Sequence, residues 1–202
     1  VALTDHNTCR NCPAFMAAAR EYGVLAVPGM EINTSEEVHA VCLFPNLEAA
    51  LCFDSYVYGK LIRFPNNEAI FGKQQIYNEQ DQVCGTEPNL LINATEISFD
   101  GLWELVRSYG GVMFPAHVDK TANSLIANLG FIPPDSRFRT AEVKDLKKLH
   151  QLQKDNPYLD KGRIISNSDA HYLEHMNGPE LTLQVEEKTV QGIIDALLDG
   201  AG

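Results

Sequence analysis

The chain has 202 residues, 45% of them hydrophobic, and 27 acidic against 16 basic residues give a formal net charge of −11. This length and apolar content predict a globular α/β domain over residues 1–202 with a full core, and they exclude a disordered or fibrous chain. The acidic balance disfavours nucleic-acid backbones and anionic membranes as partners.

The opening Val1-Ala-Leu-Thr4 reads as the end of an apolar strand, and no Met precedes it, so the domain is expected to lack an N-terminal piece. Asn11 and Pro13 predict a helix start, with Phe15, Ala18, Ala19 and Tyr22 as its apolar stripe and Gly23 as its end. Residues 24–28 and 38–44 read as buried strands joined through the turn residues Asn33, Thr34 and Ser35. An antiparallel hairpin of these two strands would bring Glu31 and His39 to one rim. Residues 47–61 have helical spacing. Residues 62–95 break the pattern and read as an inserted hairpin or lid, with β-like runs at 75–77 and 90–92. Ser98 caps a helix over 99–109, and Val112 to Pro115 is a strand leading into His117. A helix within 121–130, a strand at 140–143, an amphipathic segment at 146–152 and a strand at 163–165 follow. Thr189 caps a last helix whose apolar face is Val190, Ile193, Ile194, Leu197 and Leu198.

Strands alternating with helices predict an α/β fold. The residues that carry chemistry sit at strand ends, which points to a barrel-like arrangement, because such folds collect their sites on that rim. Four segments supply these residues: Thr4-Asp5-His6-Asn7, Pro28-Gly29-Met30-Glu31 with His39, Pro115-Ala116-His117, and Ser168-Asp169-Ala170-His171. Imidazole plus carboxylate is a ligand set for divalent transition metals. A charge next to a buried strand needs a partner, and a cation is the economical one. His6, Glu31, His39, His117, Asp169 and His171 are therefore the candidate ligands, and Asp5 is a carboxylate that orients His6 or a neighbour. His150 and His175 read as surface or structural residues. Lys120, three residues past His117, is a candidate phosphate contact, and Arg137 and Arg139 are weaker ones.

In these motifs, which come in family order along almost the whole chain, the sequence resembles the polymerase and histidinol phosphatase (PHP) family, in its branch of stand-alone metal-dependent phosphoesterases. Residues 62–95 lie outside the match. The resemblance implies a distorted seven-stranded β/α barrel, TIM-like, with two or three divalent ions of zinc, manganese or iron. It implies that Glu31 bridges two metals, that Asp169 holds the first, that His39 and His117 hold the second, and that His6 and His171 hold the third. The family's His-x-His on the first strand is absent and would lie upstream of Val1.

The activity this implies is hydrolysis of a small phosphomonoester, a nucleotide or related metabolite, by a metal-bound hydroxide, with Asp5, Glu31 and Lys120 as catalytic residues. No Gly-rich phosphate loop or Gly-x-Ser-x-Gly elbow offers another machinery. The alternatives are a non-catalytic or regulatory metal-binding module and an accessory domain of a polymerase. The charge of −11 and the lack of a basic stripe disfavour the latter. No apolar stretch approaches the ~18 residues of a membrane span, and no signal peptide is visible. The odd set Cys9, Cys12, Cys42, Cys52 and Cys84 reads as reduced thiols, so the expected location is the cytoplasm.

Overall fold

The computed structural model describes residues 1–178 and 181–199. β1 (Ala2–Leu3) leads through a short loop into α1 (Cys12–Glu21), and β2 (Val27–Asn33) and β3 (His39–Leu43) follow as a hairpin. α2 (Leu47–Lys60) precedes a segment carrying α3 (Glu68–Phe71) and the strands β4 (Gln75–Tyr77) and β5 (Val83–Thr86). α4 (Phe99–Ser108), β6 (Val112–Pro115), α5 (Leu125–Leu129), β7 (Thr140–Glu142), α6 (Leu149–Asp155), β8 (Arg163–Ile165) and α7 (Val190–Asp199) complete the order.

β1 is parallel to β2, while β2 with β3 and β3 with β6 are antiparallel, giving the sheet order β1-β2-β3-β6. β7 and β8 form a parallel pair. Past the end of β6, Val118 N–H donates to the Glu142 carbonyl at 2.9 Å, so that pair is tied to the main sheet. The arrangement is α/β with mixed strand directions.

Both faces of the main sheet are covered, which is why its strands are apolar at nearly every position. Met30, Ile32, Ala40, Cys42 and Met113 pack on Phe53 and Val57 of α2 and Leu102 and Val106 of α4. Val27, Val41, Leu43, Val112 and Phe114 pack on Ile194 and Leu197 of α7. Alternation along a strand then puts Glu31 and His39 on the α7 side. In the hairpin register Glu31 faces Val41 and Asn33 faces His39, so Glu31 and His39 are diagonal neighbours on one face.

Two of the expected caps form: Ser98 accepts from Gly101 N–H at 3.2 Å, and Thr189 accepts from Gly192 N–H at 3.0 Å. Asn11 makes no side-chain cap bond at the start of α1; its amide is turned to Asp5 instead. Four further readings need correction. Residues 24–26 are not strand: Val24 N–H closes α1 by donating to the Ala19 carbonyl, and Val24 and Leu25 are exposed. β2 instead runs on to Asn33, so Glu31 lies inside a strand. Tyr22 is 83% exposed and does not join the α1 stripe; Cys12 and Ala19 are the helix's buried residues. Within 62–95 the hairpin partner of 75–77 is β5, and 90–92 is not a strand. Among the described residues no helix is long and apolar enough to cross a membrane.

Candidate metal centre

Glu31 is the hub. The strand holding it is flanked by residues 5–7, which continue the line of β1: Glu31 N–H donates to the Asp5 carbonyl at 3.1 Å, and Asn7 N–H donates to the Glu31 carbonyl at 2.9 Å. This ladder sets His6 beside Glu31. On the other side, Ala116 N–H donates to the His39 carbonyl at 3.0 Å and brings His117 next to His39. Glu31 Oε1 accepts from His39 Nδ1 at 3.0 Å and from His117 Nε2 at 3.1 Å, while His6 Nδ1 stands 4.0 Å from Oε2. The His6–His39 and His39–His117 ring centroids are 5.0 and 5.4 Å apart.

Glu31 is 6% exposed. Burial alone would raise its carboxyl, but the hydrogen bonds from His117 and His39 outweigh it and hold the group below the usual carboxylate range. His6 is pushed the other way: burial, with His39 and His171 nearby, favours the neutral ring over the opposing pull of Glu31.

Asp169 and His171 close the cluster from the segment after β8. His171 stands 6.0 Å, ring to ring, from His6, and its Nδ1 is 3.9 Å from Asp169 Oδ1. Asp169 Oδ2 accepts from Lys120 at 2.5 Å and from Lys144 at 3.3 Å. Burial would raise this carboxyl as well, and the two ammonium groups hold it low. His117 and Asp169 have positive φ angles of 31° and 49°. Non-glycine residues held there are strained, and such strain collects at functional sites.

The six candidate ligands thus meet in one place. Asp5 does not orient an imidazole. Neighbours in an extended segment point to opposite sides, and its Oδ2 accepts from Asn11 at 3.1 Å instead of meeting an imidazole. Burial raises its carboxyl. Arg137 is not in the cluster; it pairs with Glu104 on α4. Arg139 stands before β7, whose far end carries Glu142. His150 and His175 are exposed.

Three residues of the site escaped the sequence reading. Glu142, 3% exposed, accepts from His117 N–H at 3.3 Å and from Asn167 at 2.7 Å, and burial raises its carboxyl. Its signal was the one that marked Glu31, a carboxylate on an apolar strand. Lys144 follows two residues later. Asn7 donates to the carbonyls of Leu91 (2.7 Å) and Asn93 (2.8 Å) and accepts from Asn33 N–H (2.9 Å), which pins residues 91–93 to the site. A cavity of about 330 Å³ is lined by Asp5 and His6 together with Phe71, Gln75, Ile76 and Leu91.

The donors fit a divalent metal. His6 Nδ1, His39 Nε2 and His117 Nδ1 are buried without a hydrogen-bond partner. His39 and His117 donate to Glu31 from one nitrogen, so each neutral ring carries a lone pair on the other, open to a metal. Ligand atoms of His6, Glu31 and His39 lie within 4.8 Å of one another. On one ion with bonds of about 2.0–2.2 Å such atoms stand about 3.3–3.6 Å apart, so binding would draw the group together by about 1 Å at its widest.

No protein-family model and no curated protein matches the chain. Two solved structures share its fold. One is a Bifidobacterium adolescentis protein provisionally assigned as a metal-dependent phosphoesterase, 17% identical, covering 100% of this chain and 86% of that one with a TM-score of 0.57. The other is the lesion-specific endonuclease EndoQ from Pyrococcus furiosus, also 17% identical, with a TM-score of 0.51. The match covers 89% of this chain but only 40% of the endonuclease.

Proposed function

We propose that this chain is a metal-dependent phosphoesterase of the PHP type, acting on a small phosphomonoester, with its strands forming part of a distorted β/α barrel. The observation that carries the reading is the convergence of four imidazoles with Glu31 and Asp169, with three buried imidazole nitrogens left without partners. The fold likeness to a protein assigned as a phosphoesterase and to an endonuclease supports hydrolysis of a phosphate ester. The cavity of about 330 Å³ supports a small organic leaving group.

His6, Glu31, His39, His117, Asp169 and His171 would hold two or three divalent ions of zinc, manganese or iron. Bound there, such ions supply Lewis acidity, lowering the pKa of water and offsetting phosphate charge. Glu31 fixes the His39 and His117 rings by accepting from both, and its depressed pKa keeps it anionic. His6 is kept neutral, as a ligand must be. Asp5 lines the cavity, placed to exchange a proton with a bound ester. A cytoplasmic location belongs to the same reading and is supported by five cysteines that are all free.

The test is a panel of phosphomonoesters and phosphodiesters, assayed with added manganese or zinc for wild type and Glu31→Gln. Turnover of monoesters that disappears in the variant is the expected result. Turnover confined to diesters would make the chain a nuclease. No turnover on any member would leave the metal-binding module.

A further inference from the structure

Two loops present lysines to the same carboxylate oxygen. Lys120 Nζ donates to Asp169 Oδ2 at 2.5 Å, and Lys144 Nζ donates to that oxygen at 3.3 Å and to the Ser168 carbonyl at 3.0 Å. The loops are fixed to each other by Asp119, whose carboxylate accepts from Lys144 N–H at 2.8 Å and Asp145 N–H at 2.9 Å. Lys120 is anchored in turn: its N–H donates to the His117 carbonyl, and its carbonyl accepts from Ser124. Asp169 divides the site, with Oδ2 on the lysines and Oδ1 turned toward His171 and the imidazole cluster.

One carboxylate does not balance two ammonium groups. On Asp169 itself the two ammonium groups exceed the carboxylate by one charge, and Asp119, held by the backbone N–H groups of Lys144 and Asp145, brings the two loops to neutrality, in a chain whose net charge of −11 would otherwise repel a phosphate. If Asp169 is shared with a divalent ion the excess grows. Both lysine side chains are 39% exposed, so they can reach an incoming ligand. The anion that balances such a site is one that touches the metal and the lysines together.

We propose that Lys144 and Lys120 form a two-lysine clamp for the terminal phosphoryl oxygens of a phosphomonoester dianion. The proposal rests on the phosphoesterase reading and narrows it: a dianion with free oxygens answers the clamp, whereas a phosphodiester has one negative charge and two blocked oxygens. Lys144 thereby helps to decide between a terminal phosphate and an internal one.

The probe is inorganic phosphate, titrated calorimetrically into the metal-loaded full chain, with bound metal measured in the same samples. Lys144→Met and Lys120→Met should each weaken phosphate binding about ten-fold, the scale of one partly screened charged hydrogen bond, and both should keep the wild-type metal content. Lys144→Arg should retain most of the affinity, which a loss of packing would not explain. On the ester panel, Lys144→Met should raise KM for monoesters more than for diesters. Wild-type phosphate affinity in both methionine variants with metal in place would overturn the clamp, as would equal losses in Lys144→Met and Lys144→Arg. The two readings fail separately. Hydrolysis by wild type with lysine-independent phosphate binding removes only the clamp, and lysine-dependent phosphate binding without hydrolysis supports the clamp while removing the esterase.

Discussion

Gly29→Ala strikes the hairpin that carries Glu31. A Cβ at this position would lie 2.5 Å from the Cys42 carbonyl oxygen, 2.7 Å from Leu43 Cδ2 and 3.3 Å from Thr4 Cγ2. The leucine methyl can rotate away, but the Cys42 carbonyl belongs to the facing strand. Ordinary contact begins near 3.4 Å, which leaves a deficit of 0.9 Å. Spreading β2 from β3 by that amount would stretch the bond from Phe44 N–H to the Pro28 carbonyl from 2.9 Å to about 3.8 Å, outside hydrogen-bond range. Overpacking costs about 1–3 kcal/mol and the lost bond about 1 kcal/mol, so the expected destabilisation is ~2–4 kcal/mol in urea unfolding. The same movement displaces Glu31 from His39 and His117, so metal affinity should fall with stability. Gly59→Ala is the control: it lies in α2 with nothing within 4 Å of its added Cβ, and it should be neutral or stabilise by up to ~1 kcal/mol. If Gly29→Ala is as stable as wild type and binds metal equally well, the close approach of β2 and β3 is wrong.

Asn7→Ala removes three hydrogen bonds between the site and residues 33 and 91–93. It should cost about 1–3 kcal/mol and speed hydrogen exchange within 62–95 more than in the main sheet; uniform exchange rates would refute the pinning role. Glu142→Gln tests a buried carboxyl whose pKa is raised in the folded chain. Such a group contributes stability below its unfolded pKa, near 4.3, and loses it as pH rises through the folded value. Gln does not titrate, so the stability gap between variant and wild type should narrow from pH 5 to pH 8 in the metal-free protein; a gap that widens contradicts the assignment. His6 and Asp169 are depressed and act oppositely. Their contributions are complete above the ordinary values and are lost on acidification, so Asp169→Asn should blunt the acid-side loss of stability below about pH 4.

The metal-ligand candidates were legible because each is an ionisable residue beside an apolar run, and a hairpin between two such runs sufficed to bring Glu31 to His39. Glu142 satisfies the same rule on a strand expected at 140–143, but the run Thr140-Ala-Glu-Val143 holds only two apolar residues, so nothing in it marked the carboxylate as buried. Lys144 and Asn7 carried no signal, since their roles depend on loops meeting from distant parts of the chain. The run 90–92 looked like a strand because it is apolar. Its carbonyls are taken by the side chains of Asn7 and Asn33 instead of a neighbouring strand. β5 was missed for the converse reason: Val83-Cys-Gly-Thr86 is largely exposed, so no alternation of burial marks it. Glu31 was read as following its strand because the apolar run ends at Pro28. Gly29 is there because the facing strand leaves no room for a side chain.

The most direct test of the account is metal retention. Wild type and Glu31→Gln are loaded with zinc or manganese at neutral pH, dialysed against metal-free buffer, and assayed for bound metal by elemental analysis. Glu31→Gln keeps the size of the side chain and removes the charge that three histidines surround. Wild type should retain divalent metal through dialysis, and Glu31→Gln should lose it while remaining folded. A wild type that retains no metal, or a folded Glu31→Gln that retains as much as wild type, would contradict it.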